Sequence, residues 1–237
     1  MNTLQGQKVL VVGGSSGIGA AAAKSLAALG AEVTIASRNA AKLELAAADI
    51  GGAVRTAILD TSDDAAVEAF FAAQEVFDHV VVSAAQTKSG PVKQLALVDA
   101  YAAMNSKFWG AYRVSRAARI REGGSLTLVS GFLSVRPGKT SVLQGAINAA
   151  LEALVRGLAL ELSPVRVNAV SPGLVATPLW AGLTEEKRQA MFEGAAARLP
   201  AQRVGRPEDI ANAISYLVTT PFATGSTVLV DGGGAIA

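Results

Sequence analysis

No cysteine occurs among the 237 residues, and histidine occurs once, at His79. The first absence excludes a disulfide framework and thiolate metal sites, and the second excludes a histidine-rich metal centre and a Ser-His-Asp triad. Charge of one sign is scarce too. The 21 basic residues against 19 acidic ones leave a net +2, and they are scattered without interleaved aromatics, which make up only 5%. That balance argues against a nucleic-acid partner. No stretch approaches the ~20 apolar residues of a membrane span, and the opening MNTLQGQK has no apolar signal core. The expectation is a cytoplasmic chain with no metal, no membrane and no nucleic acid among its partners. His79 precedes the apolar run Val80 to Val82, so a place at a strand start is its expected role.

Apolar residues are abundant instead: 51% of the chain against 17% charged, which fits one large α/β domain over residues 1–237. The most informative stretch is Val9 to Gly19, VLVVGGSSGIG, where an apolar run breaks into glycines and hydroxyls before an alanine-rich helical pattern. A helix N-terminus carries unpaired N–H groups and a partial positive charge, so it is a natural seat for phosphate. Gly13, Gly17 and Gly19 admit close backbone approach there, and Ser15 and Ser16 add hydroxyl donors. The spacing is GxxxGxG, and a glycine cluster by itself also makes ordinary turns. Its setting between strand and helix favours a dinucleotide pyrophosphate.

Short β-rich runs alternate with longer helical patterns along the chain. Strands are expected at Lys8 to Val12, Glu32 to Ala36, Ala53 to Leu59, His79 to Val82, Ser125 to Ser130, Val165 to Val170 and Thr227 to Val230. Helices are expected near Gly17 to Leu29, Ala40 to Ala48, Asp63 to Ala73, Val98 to Arg121, Ser141 to Leu162 and Pro207 to Val218. This alternation predicts an α/β, single-domain Rossmann fold: a doubly wound, seven-stranded parallel sheet with helices on both faces. The strands read apolar throughout, as parallel strands buried on both faces should. Residues 174–200 lack a strand and read as a helical flap at the C-terminal edge of the sheet. Trp180, Leu183, Met191 and Phe192 there either line a substrate cavity or pack the flap onto the core.

Over nearly its whole length the chain resembles the short-chain dehydrogenase/reductase family. GGSSGIG at Gly13 to Gly19, with Ile18 inside it, is similar to the family's cofactor loop. Asp60 and Thr61 follow the third strand where the family contacts adenine. SPGLVAT at Ser171 to Thr177, with Pro172, Gly173, Val175 and Thr177, resembles its nicotinamide-side segment, and Gly205 to Gly233 resembles its last helix and strand. The turn after the fourth strand, NNAG in the family, reads Ser83-Ala84-Ala85-Gln86. At the end of the second strand stand Ser37, Arg38 and Asn39 in place of an acid that would bind the ribose of NAD. A guanidinium forks onto phosphate, which favours NADP(H), although Arg38 would also serve as a solvated loop cation.

The resemblance implies a tetrad of Asn, Ser, Tyr and Lys, and here the chain departs from it. Alignment on Ala149 to Leu154 puts Gln144 at the tyrosine and Asn148 at the lysine. Gly131 falls at the serine, with Ser130 one residue early, and Ser134 or Ser141 as possible substitutes. Lys107 falls at the asparagine, three residues before Gly110, while Asn105 faces elsewhere. Asn and Lys thus look exchanged. Gln144 and Asn148, four apart on one helical face, would form a polar cluster with Lys107. Lys107 either bonds the nicotinamide ribose or donates a proton, or else it snorkels to the surface beside Phe108 and Trp109. Two functions follow: an NADP(H)-dependent oxidoreductase on a small carbonyl or alcohol with a degenerate or relocated acid–base site, or a catalytically weak NADP(H)-binding sensor or partner subunit. The resemblance also implies a homo-oligomer, dimer or tetramer, paired through the two long helices. Ala146, Ala149, Ala150, Ala153 and Gly157 suit either that contact or packing on the sheet.

Overall fold

The computed structural model describes residues 3–237, so the first two residues of the expected domain lie outside it. Seven strands form one parallel sheet in the order β3-β2-β1-β4-β5-β6-β7. They are β1 (Lys8–Val12), β2 (Glu32–Ser37), β3 (Arg55–Ile58), β4 (Phe77–Val82), β5 (Ile120–Val129), β6 (Arg166–Pro172) and β7 (Thr227–Val230). The chain leaves β1 in one direction and returns to its other side at β4, so a crevice opens where these two strands end.

The period of two along β1 builds two cores. Val9 and Val11 pack with α1 (Gly17–Ala28), α2 (Ala40–Ile50) and α8 (Pro207–Thr219) through Ala22, Leu26, Leu43, Ile210 and Leu217. Leu10 and Val12 pack on the opposite face with α3 (Asp64–Ala73), α5 (Gly110–Ala117) and α6 (Val142–Glu161) through Phe71, Val114, Leu151 and Val155. Both faces are therefore dry, which is why the strands are apolar without alternation.

The helix expected over Val98 to Arg121 is instead three pieces. These are α4 (Leu97–Met104), a π-helical turn (Asn105–Trp109) and α5, after which β5 begins at Ile120 rather than Ser125. Between Ile120, which pairs with Phe77, and Ser125, which pairs with His79, the strand bulges, and Gly124 allows the close approach: a Cβ on it would lie 2.1 Å from the Asp78 carbonyl. The Phe77 N–H donates to the Arg119 carbonyl (2.9 Å), which also starts β4 two residues before His79. Residues 174–200 carry no strand and contain a 3-10 turn at Pro178–Trp180 and α7 at Glu185–Ala196.

His79 is buried inside β4. Its Nε2–H donates to Gln7 Oε1 (2.7 Å) and its Nδ1 accepts from Ser125 Oγ (2.8 Å). Burial lowers its pKa to about 4, so the ring is a neutral strap between the residue before β1, β4 and β5.

Candidate active site

The glycine loop leaves β1 at the crevice and turns into α1, whose N-cap, Ser16, makes no side-chain cap. Gly13, at φ +86°, lies against the turn after β4, where an added Cβ would come 2.6 Å from the Ala84 nitrogen. A Cβ on Gly19 would come 2.2 Å from the Gly13 carbonyl. Gly17, at φ +54°, faces Thr177 and Pro178, 3.4 and 3.7 Å from its would-be Cβ. The structure thus brings the glycine loop, the Ser83–Ala85 turn and the Thr177 segment together around an uncapped helix start, a cradle suited to a pyrophosphate. Gly173 serves packing, since its Cβ would strike the Asp231 backbone at 2.6 Å. Val175 is buried in the core beside α8, and Trp180 Nε1 donates to its carbonyl (2.9 Å), folding the indole back onto its own loop.

At the end of the second strand, Ser37 finishes β2 and the exposed Arg38 follows, its Nη2 donating to Gln86 Oε1 (2.7 Å). Arg38 also reaches Asp60 electrostatically. The Asp60 carboxylate lies below the usual range mainly because the Ser62 backbone N–H and hydroxyl donate to it, with Arg38 and Arg113 adding to the effect. Asn39 is occupied as the cap of α2, accepting from the Lys42 N–H (2.9 Å). Thr61 is buried against Gly110, whose would-be Cβ lies 3.0 Å from its Oγ1.

The opposite wall of the crevice carries the exchanged tetrad. The π turn inserts one extra residue per turn, so Asn105 faces Arg113, whose Nη2 donates to its Oδ1 (2.8 Å), and Lys107 turns inward. Lys107 Nζ donates to the Ser130 carbonyl and to Asn148 Oδ1, each at 2.7 Å. It does not snorkel to solvent beside Phe108 and Trp109. The residue as a whole is half-buried, but its ammonium sits deep, and desolvation brings its pKa down to about 8 against the opposing pull of Glu152. Asn148 explains Gly131: a Cβ there would lie 2.7 Å from the Asn148 amide nitrogen, so a serine at 131 and this asparagine rotamer exclude each other. Gln144 stands one turn before Asn148, with its Nε2 donating weakly to the Lys88 carbonyl (3.3 Å).

Ser130 is present by its carbonyl. Its hydroxyl turns away and donates to Glu152 Oε1 (2.9 Å), as do Ser134 (2.7 Å) and Ser171 (3.2 Å). Glu152 was absent from the expected constellation, and a signal for it exists. Residues 144, 148 and 152 recur every fourth position, so this acid shares the inward face of α6 with Gln144 and Asn148.

A family model described as enoyl-(acyl carrier protein) reductase matches residues 12–234. A short-chain dehydrogenase/reductase of Stachybotrys chlorohalonatus, ATR9, is 34% identical over 98% of both chains. The D-erythrulose reductase of Gallus gallus is 32% identical, covering 98% of this chain and 96% of that one. A crystallised small-chain dehydrogenase in complex with NADPH superimposes with a TM-score of 0.86 at 34% identity, covering 98% of this chain and all of that one. The chain belongs to the short-chain dehydrogenase/reductase family, whose members are oxidoreductases using nicotinamide cofactors.

Proposed function

We propose that this protein is an NADP(H)-dependent oxidoreductase that interconverts a small carbonyl compound and its alcohol, with the acid–base group relocated to Lys107. The observation that carries this reading is the ammonium itself. It reaches from the π turn to the α6 amide that stands where the family has lysine, and it binds Asn148 Oδ1 at 2.7 Å. The cofactor would supply hydride to the carbonyl carbon. Lys107 gives a proton to the oxygen, and a pKa near 8 suits a group that must hold and release it near neutral pH. Gln144 orients the substrate oxygen by hydrogen bonding, since its amide cannot titrate. Gly13 to Gly19 hold the pyrophosphate, with Ser15, Ser16 and Ile18 between the glycines. Ser37 and Arg38 hold the 2′-phosphate, Asp60 and Thr61 flank the adenine, and Pro172 to Thr177 border the nicotinamide.

A second reading, a catalytically weak NADP(H)-binding sensor or partner subunit, has its own support: both short bonds of the Lys107 ammonium are spent within the protein. The test is NADPH oxidation by the purified protein with ketones, aldehydes, quinones and imines, with NADPH fluorescence binding in parallel and Lys107→Ala as control. Turnover lost in the variant while binding persists is the expected result. Binding without turnover on any class transfers the conclusion to the sensor, and no binding overturns both. A cytoplasmic setting belongs to the same reading, because the nicotinamide pool is intracellular.

Assembly as a homo-oligomer is part of this proposal. Ala146, Ala149, Ala153 and Gly157 face outward on α6 and do not pack on the sheet, while Leu97, Val98, Tyr101, Trp109 and Tyr112 stand exposed along α4 to α5. Light scattering at micromolar concentration should give a dimer or tetramer, and a monomer would remove this element.

A further inference from the structure

We propose that Glu152 is a positioning residue for Lys107: a buried carboxylate, clamped by serine hydroxyls from three separate segments, that holds the ammonium charged and in place on the floor of the crevice. The proposal rests on Lys107 being the proton donor. Its geometry is independent of that role. Ser130 follows β5, Ser134 ends the 3-10 turn at Phe132–Ser134, and Ser171 lies in β6, and all three donate to Glu152 Oε1. The three hydroxyls converge on one carboxylate oxygen and fix the direction of the side chain. Ser130 joins the two charges, its hydroxyl on Glu152 and its carbonyl on Lys107 Nζ. Asn148, one helical turn before Glu152, takes the other lysine bond.

Among the described residues no other charge competes. From α6 the charged group reaching Lys107 is Glu152. β5 and β6 present the hydroxyls of Ser130 and Ser171, the 3-10 turn presents Ser134, and α5 turns Arg113 away towards Asp64 and Asn105. A buried carboxylate is costly to desolvate, and a neutral residue would tie the three segments together without that cost. Among the described residues, Lys107 is the cation that makes use of its charge.

The test follows the lysine directly. NMR of the full-length protein labelled with 13C at lysine Cε, with the Lys107 signal assigned through Lys107→Arg, gives its titration midpoint. In Glu152→Gln the midpoint should fall by about one to three pH units. The alkaline limb of NADPH oxidation should move down with it, and NADPH binding should stay unchanged. In Glu152→Asp, which keeps the charge but withdraws it by one methylene, the midpoint should fall less. If Glu152→Gln fails to fold, the Asp variant alone carries the test. A lower melting temperature with an unmoved lysine midpoint would assign Glu152 a merely structural role and overturn the proposal. A displaced midpoint in a protein that never turns over substrate would sustain it and remove Lys107's catalytic role instead.

Discussion

The two walls of the crevice are built on different principles. The cofactor wall is made of backbone: Gly13, Gly17 and Gly19 stand where a Cβ would strike a carbonyl or an amide or crowd the next loop, so residue type there follows from local geometry. The opposite wall is made of side chains that answer one another: Lys107, Asn148, Glu152 and three serines, drawn together from five segments. A backbone cradle leaves little freedom, and this chain follows the family pattern there. A side-chain network can be redrawn if the whole set changes together, as the mutual exclusion of a residue-131 side chain and Asn148 illustrates.

The contrast can be broken most sharply at Lys107. Lys107→Ala should cut turnover by about 10²–10⁴-fold, the usual contribution of a positioned acid, with little change in NADPH affinity. Equal losses in both would place the lysine on the cofactor rather than on the chemistry.

The converse change lies on the other wall. Gly13→Ala combines a positive φ with backbone contact at 2.6 Å and should cost about 3 to 4 kcal/mol of stability, together with NADPH binding. Chemical denaturation and fluorescence titration would show it. A variant that binds normally would mean that the cradle is looser than its geometry.

A strongly lowered pKa is not by itself a mark of function, and His79 supplies the control. Its folded pKa of about 4 lies below its ordinary 6.5, so the unfolded chain takes up the proton first. Its contribution is complete above pH 6.5 and is lost as pH falls towards 4, about 3 kcal/mol in all. Unfolding free energy measured across that window should decline by less in His79→Gln. NADPH affinity at neutral pH should be the same in both.

The smallest expected change tests cofactor choice. Arg38→Ala removes the guanidinium and should weaken NADPH about 10- to 100-fold while leaving NADH nearly unchanged, read as the ratio of dissociation constants. A parallel loss for both cofactors would make Arg38 a general loop cation bonded to Gln86.

Much of the fold was legible in advance because its cause is periodic. Apolar strands alternating with helical patterns led to the sheet and its seven strands, of which β1 and β7 have the expected bounds and the other five have shifted ends. The errors fell where glycine carried two meanings. The glycines at 123 and 124 separated the expected helix from the expected strand, yet β5 runs through them as a bulge opposite Asp78, whose carbonyl comes close because Gly124 has no Cβ. The long helix was broken by a π turn, which no spacing rule announces since it depends on how the helix packs over the crevice. That turn decided the orientation of Lys107.

The amino-acid sequence alone determined the parallel α/β architecture, the glycine-rich turn between β1 and α1, and the departure from the family's tyrosine and lysine, because these depend on residue type and on spacing along one segment. Tertiary structure alone decided that Lys107 meets Asn148, that the Ser130 hydroxyl serves Glu152 rather than the crevice, and that a buried carboxylate answers the lysine. Those facts are distances between segments 18 to 41 residues apart, set when α6, β5, β6 and the π turn close over one desolvated space.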